Sequence, residues 1–193
     1  MKVLMLNGSR RSRGCTRIAL DIVANELNAA GIETVFIDVG LRVLKGELEE
    51  TVKEALDIMR DSDGLVIGSP VYYASPSGEI ISFLDRLFWD GYSEFRGKPC
   101  AVLVSARRAG TTAAIEVLNK YPNICEMPVV SSCYWNMVHG NRPEEVLKDE
   151  EGVDIMKNLG RNMAWLLKCI EAGKKAGIDL PKEEGHPKTN FIR

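Results

Sequence analysis

Short apolar segments alternate with helical segments along most of this chain. The strand-like segments lie at residues 3–6, 33–38, 65–68, 101–104 and 128–130. The intervals show helical periodicity, most clearly at residues 49–60 and 149–172, whereas we expect a connecting loop at residues 40–45. Apolar strands separated by helices indicate a parallel sheet covered on both faces, so the pattern predicts a doubly wound α/β fold.

The order of the strands decides where such a fold can bind a ligand. Five parallel strands most often adopt the order 2-1-3-4-5, the flavodoxin-like arrangement, and ligands bind beyond the carboxyl ends of strands 1 and 3. The loops with the most distinctive composition follow these two strands, at residues 6–16 and 69–78. A third loop, at residues 105–112, follows strand 4 beside them. We therefore expect the three loops to form one site.

Chain length and charge exclude several classes of protein. The 193 residues suit one domain, which we assign to residues 1–175, followed by a loosely ordered tail at residues 176–193. A net charge of −2 gives no general reason to expect binding to nucleic acid or to an anionic membrane. No apolar run approaches the about 18 residues of a membrane span, and the first strand begins too early to leave room for a signal peptide.

The cysteines indicate neither a disulfide framework nor a zinc site. There are five of them, an odd number, and they are widely spread with no C-x-x-C pair. We therefore expect a cytoplasmic protein whose thiols are reduced.

The loop after the first strand has the features of an anion site. Residues 7–16 contain Gly8, Gly14, three hydroxyl side chains, three arginines and no acid, and an amphipathic helix follows them. Backbone N–H groups at the start of a helix lack partners, and the helix dipole favours negative charge there. The loop is therefore interpreted as a phosphate-binding loop.

Three familiar phosphate sites do not match this loop. Gly8 and Gly14 are one residue too far apart for a P-loop, and Cys15-Thr16 follow where Lys-Ser/Thr is needed. The dinucleotide fingerprint G-x-G-x-x-G is absent. A cysteine phosphatase needs its thiolate at the head of the anion loop, whereas Cys15 stands at the far end, where packing is the favoured role over a lowered pKa.

The loop after the third strand favours a flavin. Pro70, Val71, Tyr72 and Tyr73 offer an apolar, aromatic surface on a stiff backbone at a strand end. A flat tricyclic ring needs such faces together with a few polar groups. Either tyrosine alone is equally consistent with an ordinary core or interface position, but the pair beside an anion loop is more informative.

Two separated motifs carry a family resemblance. The first loop resembles G-S-x-R-x-x-G-N-T at Gly8, Ser9, Arg11, Gly14 and Thr16, with Cys15 in place of the usual Asn. The second resembles G-[ST]-P-V-Y, then S-G and F-L-D-R, at residues 68–72, 77–78 and 83–86. Residues 107–111, 134–140 and 160–165 add further similarity. Together they resemble the NADPH-dependent FMN reductase and iron–sulfur flavoprotein-like branch of the flavodoxin fold.

The resemblance implies an FMN site and an oxidoreductase activity. It places the FMN phosphate at Ser9, Arg11, Gly14, Cys15 and Thr16, and the ring and ribityl chain along Pro70, Val71, Tyr72 and Tyr73. It brings the loop that contains Ala106, Arg107, Arg108, Gly110 and Thr111 to the far side of the ring. It also implies NADPH or NADH as electron donor, a small-molecule electron acceptor and a homodimer or homotetramer, with no catalytic side chain required.

Departures and alternatives remain beside this reading. Residues 39–50 hold no cysteine, so the iron–sulfur cluster of some relatives is not expected. His139 is read as loop structure in preference to a proton donor, and Arg107-Arg108 as either a nucleotide-phosphate contact or a solvated pair. The alternative functions are a non-enzymatic FMN-binding electron carrier for a protein partner and a flavin-free binding domain.

Overall fold

A parallel sheet with helices on both faces forms the body of the computed structural model, which describes residues 1–182, 185 and 191. Within these residues the strands are β1 (Lys2–Asn7), β2 (Glu33–Ile37), β3 (Gly64–Tyr72), β4 (Ser75–Pro76), β5 (Cys100–Ala106) and β6 (Met137–His139). The parallel strands follow the order β2-β1-β3-β5-β6, and β4 forms an antiparallel pair with the end of β3. With β4 set aside, this is the predicted 2-1-3-4-5 order, so the doubly wound flavodoxin-like fold is confirmed.

Helices cover both faces because the strands are apolar on both faces. The helices are α1 (Cys15–Ala29), α2 (Val39–Leu44), α3 (Leu48–Arg60), α4 (Gly78–Asp90), α5 (Tyr92–Phe95), α6 (Thr111–Ile124), α7 (Pro143–Val146) and α8 (Glu150–Lys175). Leu4 and Leu6 point to the core beneath α3, α4 and α6. Val3 and Met5 point to the opposite core, beneath α1 and α8. The strand ends are thereby held between two packed layers.

The fifth parallel strand lies later in the chain than predicted. Residues 128–130 supply only an isolated bridge between Val129 and Cys100, and β6 forms seven residues after the predicted strand. The side-chain amide of Asn136 donates to the carbonyl of Val102 at 2.9 Å, and the Asn136 carbonyl accepts from Val104 N at 3.0 Å. Asn136 therefore attaches the start of β6 to β5. The alternation of apolar and polar residues that predicts strands gives no sign of this side-chain contact.

The loop predicted at residues 40–45 is instead the short helix α2. Val39 is fully buried in the core and Val43 packs against it, which gives this helix an apolar face of one turn. Gly40 lies so close to the first loop that a Cβ there would overlap the carbonyl oxygen of Gly8. The helix therefore supports the first loop from behind.

Half of the predicted tail lies outside the described residues, which omit 183–184, 186–190 and 192–193. At its start, the carbonyl of Pro181 accepts a hydrogen bond from Arg96 Nη2 at 2.9 Å, and Leu180 lies against Gly97. Among the described residues, none of the helices combines the length and apolar character that crossing a bilayer requires.

Candidate functional site

A cavity of about 250 Å³ lies at the carboxyl edge of the sheet, where the loops after β1, β3 and β5 meet. It is also bounded by the segment that follows β6. Its lining consists of Ser9, Arg11, Gly14, Cys15, Thr16, Pro70, Val71, Tyr72, Ser105, Ala106, Arg107, Gly140, Asn141 and Pro143. Every predicted site residue except Tyr73, Arg108, Gly110 and Thr111 is in this set.

The shape of the first loop is set by Asn7, a fully buried residue at the end of β1. Its side-chain oxygen accepts from Ser9 N at 3.1 Å, and its amide donates to Asp38 Oδ1 at 2.9 Å. Ser9 continues the turn, since its hydroxyl accepts from Arg11 N at 3.1 Å. No role was predicted for Asn7 from the sequence. The feature that could have indicated one is a polar Asn at the end of an apolar strand, directly before Gly8.

The first loop is also joined to the loop after β3. Gly8 N donates to the carbonyl of Gly68 at 2.8 Å, and Ser77 Oγ donates to the carbonyl of Gly8 at 2.8 Å. Ser77 N in turn donates to Ser69 Oγ at 3.0 Å. Ser69 and Ser77 are both fully buried. These bonds fix the two loops relative to each other before any ligand binds.

Helix α1 opens directly onto the cavity without a cap of its own. Its N-cap residue is Gly14, which has no side chain to accept a hydrogen bond, and its first turn contains no acid. No side chain caps this helix start, and among the described residues the backbone N–H groups of Thr16 and Arg17 make no hydrogen bond outside the helix. A helix start of this kind favours an external anion. The loop therefore fits the phosphate group that the sequence predicts.

Cys15 and Thr16 have different partners at this helix start. Thr16 Oγ1 lies 2.8 Å from Ser105 Oγ, and both hydroxyls belong to buried residues at the cavity wall. Cys15 Sγ donates to the carbonyl of Gly140 at 3.5 Å, and burial raises the pKa of this thiol above its ordinary value. The neutral thiol therefore packs the loop and adds no negative charge beside the start of α1.

The wall opposite the first loop is a short β-hairpin. Tyr73 and Ala74 form its turn with φ values of 50° and 60°, a left-handed conformation that residues other than glycine seldom adopt. Tyr72 is half-exposed and lines the cavity, whereas Tyr73 is fully exposed at the tip and does not. The predicted contact of Tyr73 with a flavin ring therefore stays a prediction.

The loop after β5 is held by contacts at its back. The ring of His139 places Nε2 3.1 Å from the carbonyl oxygen of Arg108 and Nδ1 3.5 Å from Asp149 Oδ2. Gly110, with a φ of 93°, packs against Ala74, where a Cβ would come within 2.7 Å of the Ala74 Cα. His139 therefore supports the loop and does not line the cavity, which agrees with its interpretation as loop structure.

The residues missed by sequence reasoning are Ser105, Gly140, Asn141 and Pro143. Ser105 is the second-last residue of β5 and meets Thr16, a pairing between residues 89 positions apart. The other three follow β6, whose position was wrongly predicted. These three residues lie at the cavity because they follow β6 at the carboxyl edge of the sheet. Predicting the fifth strand at its correct position would have placed them there.

No iron–sulfur or other metal site is formed by the residues that the structure describes. Cys100 and Cys125 are buried in the core, Cys133 and Cys169 are exposed, and Cys15 lies at the cavity. Burial raises the pKa of Cys125 to about 11, so this thiol stays protonated at neutral pH. The thiols present do not fit an iron–sulfur cluster.

The fold and the site together define a flavodoxin-like protein whose first loop is preformed at the open start of α1. Residues 1–142 match the family model of the NADPH-dependent FMN reductases. The chain therefore belongs to this family, and the resemblance seen in its two motifs is confirmed. FMN-dependent oxidoreduction is the chemistry that this membership supports.

Curated relatives match along nearly the whole chain. An NADPH azoreductase of Bacillus sp. (strain OY1-2) is 30% identical over 188 residues, which cover 95% of this chain and 96% of the relative. An iron–sulfur flavoprotein of Methanocaldococcus jannaschii is 29% identical over 192 residues, covering 89% of this chain and all of the relative.

Solved structures with low sequence identity share the fold. A WrbA-like flavodoxin from Agrobacterium tumefaciens aligns with a TM-score of 0.67 at 16% identity, covering 87% of this chain and 97% of the other. The apo form of an NADH:FMN oxidoreductase aligns with a TM-score of 0.69 at 20% identity, covering 86% of this chain and 89% of the other. At these identities the structures support the fold alone.

Proposed function

We propose that this protein is an FMN-dependent oxidoreductase that takes electrons from NADPH or NADH and passes them to a small acceptor. The uncapped start of α1 carries the proposal, because it lies in one cavity with Arg11 and faces the hairpin wall at Pro70, Val71 and Tyr72. An anion site and an apolar wall within one cavity are the two halves of a flavin mononucleotide site.

The chain's own residues would bind and orient the cofactor. Arg11 and the first turn of α1 would hold the phosphate, with Ser9, Cys15 and Thr16 around it. Pro70, Val71 and Tyr72 would lie along the ring, with Ala106 and Arg107 on the far side. FMN itself supplies the transfer of hydride and electrons, so the protein's contribution is binding, orientation and electrostatics.

The proposed acceptor is a quinone, a nitro or azo compound, or a free flavin. The azoreductase relative, which matches the chain almost end to end, supports an acceptor of this general kind. The half-exposed Tyr72 leaves room for a second aromatic molecule to approach the cavity. The assignment of NADPH over NADH is left to measurement of both donors.

Absorbance of the purified protein is the first test of this function. We expect bound flavin to give an absorbance band at about 450 nm that is bleached by NADPH or NADH and restored by a quinone. A protein that neither carries flavin nor binds added FMN would contradict the proposal. Flavin that binds but exchanges no electrons with any small acceptor would indicate the electron-carrier function instead.

Neighbouring arginines provide a matched test of the phosphate position. Arg11 lines the cavity, whereas Arg10 is paired with Glu79 at 2.6 Å. Arg11→Ala should weaken FMN binding by about 10-fold or more, since a charge-assisted contact contributes ~1.5–3 kcal/mol. Arg10→Ala is the control and should change the FMN dissociation constant by less than about threefold. Equal losses in both variants would place the phosphate elsewhere.

We also propose a homodimer or homotetramer in the cytoplasm. Exposed aromatic side chains support the assembly, since Tyr73, Trp135 and Trp165 are 104%, 55% and 67% exposed. The free thiols are compatible with a reducing compartment. Light scattering of the purified protein measures the assembly, and a monomer at micromolar concentration would contradict it.

A further inference from the structure

Two adjacent arginines of the first loop are held in opposite ways. The backbone of Arg11 is bonded at both of its polar groups, since its N–H donates to Ser9 Oγ at 3.1 Å and its carbonyl accepts from Asn7 Nδ2 at 3.4 Å. Its guanidinium has no ion-pair or hydrogen-bond partner among the described residues. In Arg10 the guanidinium is the bonded group, at 2.6 Å from Glu79. The backbone of Arg11 is therefore fixed while its charge is left available.

The amide of Asn7 is the source of this arrangement. Its oxygen accepts from Ser9 N at 3.1 Å. Its NH2 group donates to the carbonyl of Arg11 and, at 2.9 Å, to Asp38 Oδ1, so both donors of the fully buried amide have acceptors. Exchanging the amide oxygen and nitrogen would set a donor against the Ser9 N–H and an acceptor against two oxygens. The amide is therefore held in one orientation.

Asp38 supports the first loop in place of its own helix. It follows β2 as the N-cap residue of α2, a position where an aspartate usually accepts from the first N–H groups of the helix. Its side chain makes no such bond. Oδ1 lies instead 2.9 Å from Asn7 Nδ2 and 3.8 Å from Arg17 Nη1. A residue that departs from a local rule in this way is expected at a functional site.

Arg17 of α1 holds the carboxylate of Asp38 in turn. Its guanidinium lies 3.8 Å from the centroid of the Phe36 ring, and its Nε donates to Asp21 Oδ1 at 2.8 Å. The side chains of Arg17 and Asp38 are only 27% and 28% exposed. Partial burial makes the hydrogen bond from Asn7 to Asp38 stronger than the same bond in water.

Neither Asn7 nor Asp38 lines the cavity, whereas Ser9 and Arg11 do. The two residues therefore lie behind the first loop, away from the cavity entrance. Whatever they contribute to the cavity passes through the backbone of the residues they hold.

We propose that Asn7 and Asp38 are positioning residues for the FMN phosphate. They fix the loop backbone so that the Arg11 guanidinium and the open start of α1 meet the same phosphate group. This inference rests on the proposed function, because it names the residues that shape the phosphate half of that site. A loop that is ordered before binding loses less entropy when the ligand arrives. Loss of either residue should therefore weaken binding of the phosphate and leave binding of the ring unchanged.

The test compares FMN with riboflavin, which has the same ring and lacks the phosphate. The dissociation constants of both flavins are measured at about 200 mM salt, where effects of distant charges are largely screened. The ratio of the riboflavin constant to the FMN constant gives the phosphate preference of each protein. The test variants are Asn7→Ala and Asp38→Ala.

Each test variant has a matched control elsewhere in the chain. Asn162→Ala removes an amide on α8 that likewise donates to a backbone carbonyl at 2.9 Å and to a side-chain oxygen at 3.2 Å. Asp21→Ala removes the other carboxylate beside Arg17, which does not contact Asn7. Asp38→Asn is the conservative variant, because its Oδ1 can still accept from the Asn7 amide.

We expect Asn7→Ala to lower the phosphate preference by about 10-fold or more and Asp38→Ala by about threefold to 10-fold, since each leaves polar groups of the loop without a partner. Asp38→Asn and the two controls should stay within about twofold of the parent protein. Urea unfolding of the flavin-free proteins shows which variants are folded. Asp38 is partly exposed, so Asp38→Ala carries the test if Asn7→Ala does not fold.

An unchanged phosphate preference in Asp38→Ala would overturn the inference, and so would equal losses of FMN and riboflavin affinity. A rise in the preference would show that Asp38 acts by its charge alone, which also contradicts a positioning role. Failure of the proposed function is seen before any variant is made, since the parent protein would bind neither flavin or show no preference for FMN. The inference would then fall with it.

Discussion

Helices α1 and α4 both begin at the carboxyl edge of the sheet, one after β1 and the other after the hairpin of β3. Helix α4 has a side-chain cap, because Ser77 Oγ accepts from Ile80 N at 3.3 Å, and Glu79 lies in its first turn. Helix α1 begins at Gly14 with neither a side-chain cap nor an acid in its first turn. Two helix starts at the same edge therefore differ in what satisfies their N–H groups.

The difference separates a structural helix start from the one that we propose as the phosphate site. The capped α4 serves the fold, and Ser77 also donates to the carbonyl of Gly8 at 2.8 Å. The capping residue of α4 thus holds the loop that leads into the uncapped start of α1. An open helix N-terminus binds an anion well only when its loop is already in place, because ordering the loop would otherwise oppose binding.

Closing the open helix start should have the largest effect. Gly14 has an extended backbone, with φ of −91° and ψ of −179°, which suits a capping side chain. Gly14→Asp should therefore cap α1 and repel phosphate, lowering FMN affinity by about 100-fold or more while adding about 1 kcal/mol to the stability of the flavin-free protein relative to Gly14→Ala.

Gly14→Ala is the matched control for this change. Its Cβ meets the same neighbours, Ser9 Oγ at 3.1 Å and Arg11 Cβ at 3.3 Å, without the carboxylate. Titration with FMN and urea unfolding measure the two effects. Equal FMN affinities in the Asp and Ala variants would show that the helix start is not the phosphate site.

Displacing the first loop from behind tests the contact between α2 and that loop. Gly40→Ala places a methyl group where the Gly8 carbonyl lies, so we expect a loss of about 1–3 kcal/mol in unfolding free energy together with weaker FMN binding. Gly78→Ala, in the first turn of α4, meets nothing within 4 Å and should be neutral or stabilising by up to about 1 kcal/mol. Urea denaturation of both variants compares them, and similar values would disprove the proposed support.

The sheet was predictable because its central strands are buried on both faces and read as plain apolar runs. Val3, Leu4, Met5 and Leu6 are all fully buried, so no alternating pattern was needed to place β1. Strand β6 was missed because it has three residues and depends on Asn136 to approach β5. Helix α2 was missed because six residues are too few to show helical periodicity.

The cavity was predictable as far as single loops determine it. Gly14, Thr16 and Pro70 were found because their residue types act through the local backbone. Asn7 and Ser77 were given no role in the site, since each bonds to a partner far along the chain, with Asp38 31 positions and Gly8 69 positions away. Such pairings follow from how the loops pack together, which spacing within one loop does not reveal.

Removing the cap of α4 tests the link between the two helix starts. Ser77→Ala loses the cap of Ile80 N and leaves the buried carbonyl of Gly8 without its donor, so unfolding should become easier by about 2–4 kcal/mol. Ser82→Ala, which removes a bond to the carbonyl of Glu79 on the same helix, is the control and should lose less than about 1 kcal/mol. Chemical denaturation with and without FMN shows whether the loop is affected as well.

The smallest effect should come from the ion pair that joins the two starts at the surface. Arg10 and Glu79 are 2.6 Å apart, but the Arg10 side chain is 53% exposed, so the pair contributes only about 0–1 kcal/mol to stability. Glu79→Gln removes the negative charge from the first turn of α4 and leaves Arg10 without its carboxylate partner in the proposed phosphate loop. We therefore expect FMN affinity to rise by about twofold at low salt, an increase that about 200 mM salt removes. A fall in FMN affinity would instead show that Glu79 holds the first loop in its binding conformation. The first turn of α4 would then contribute more to the site than its hydrogen bonds indicate.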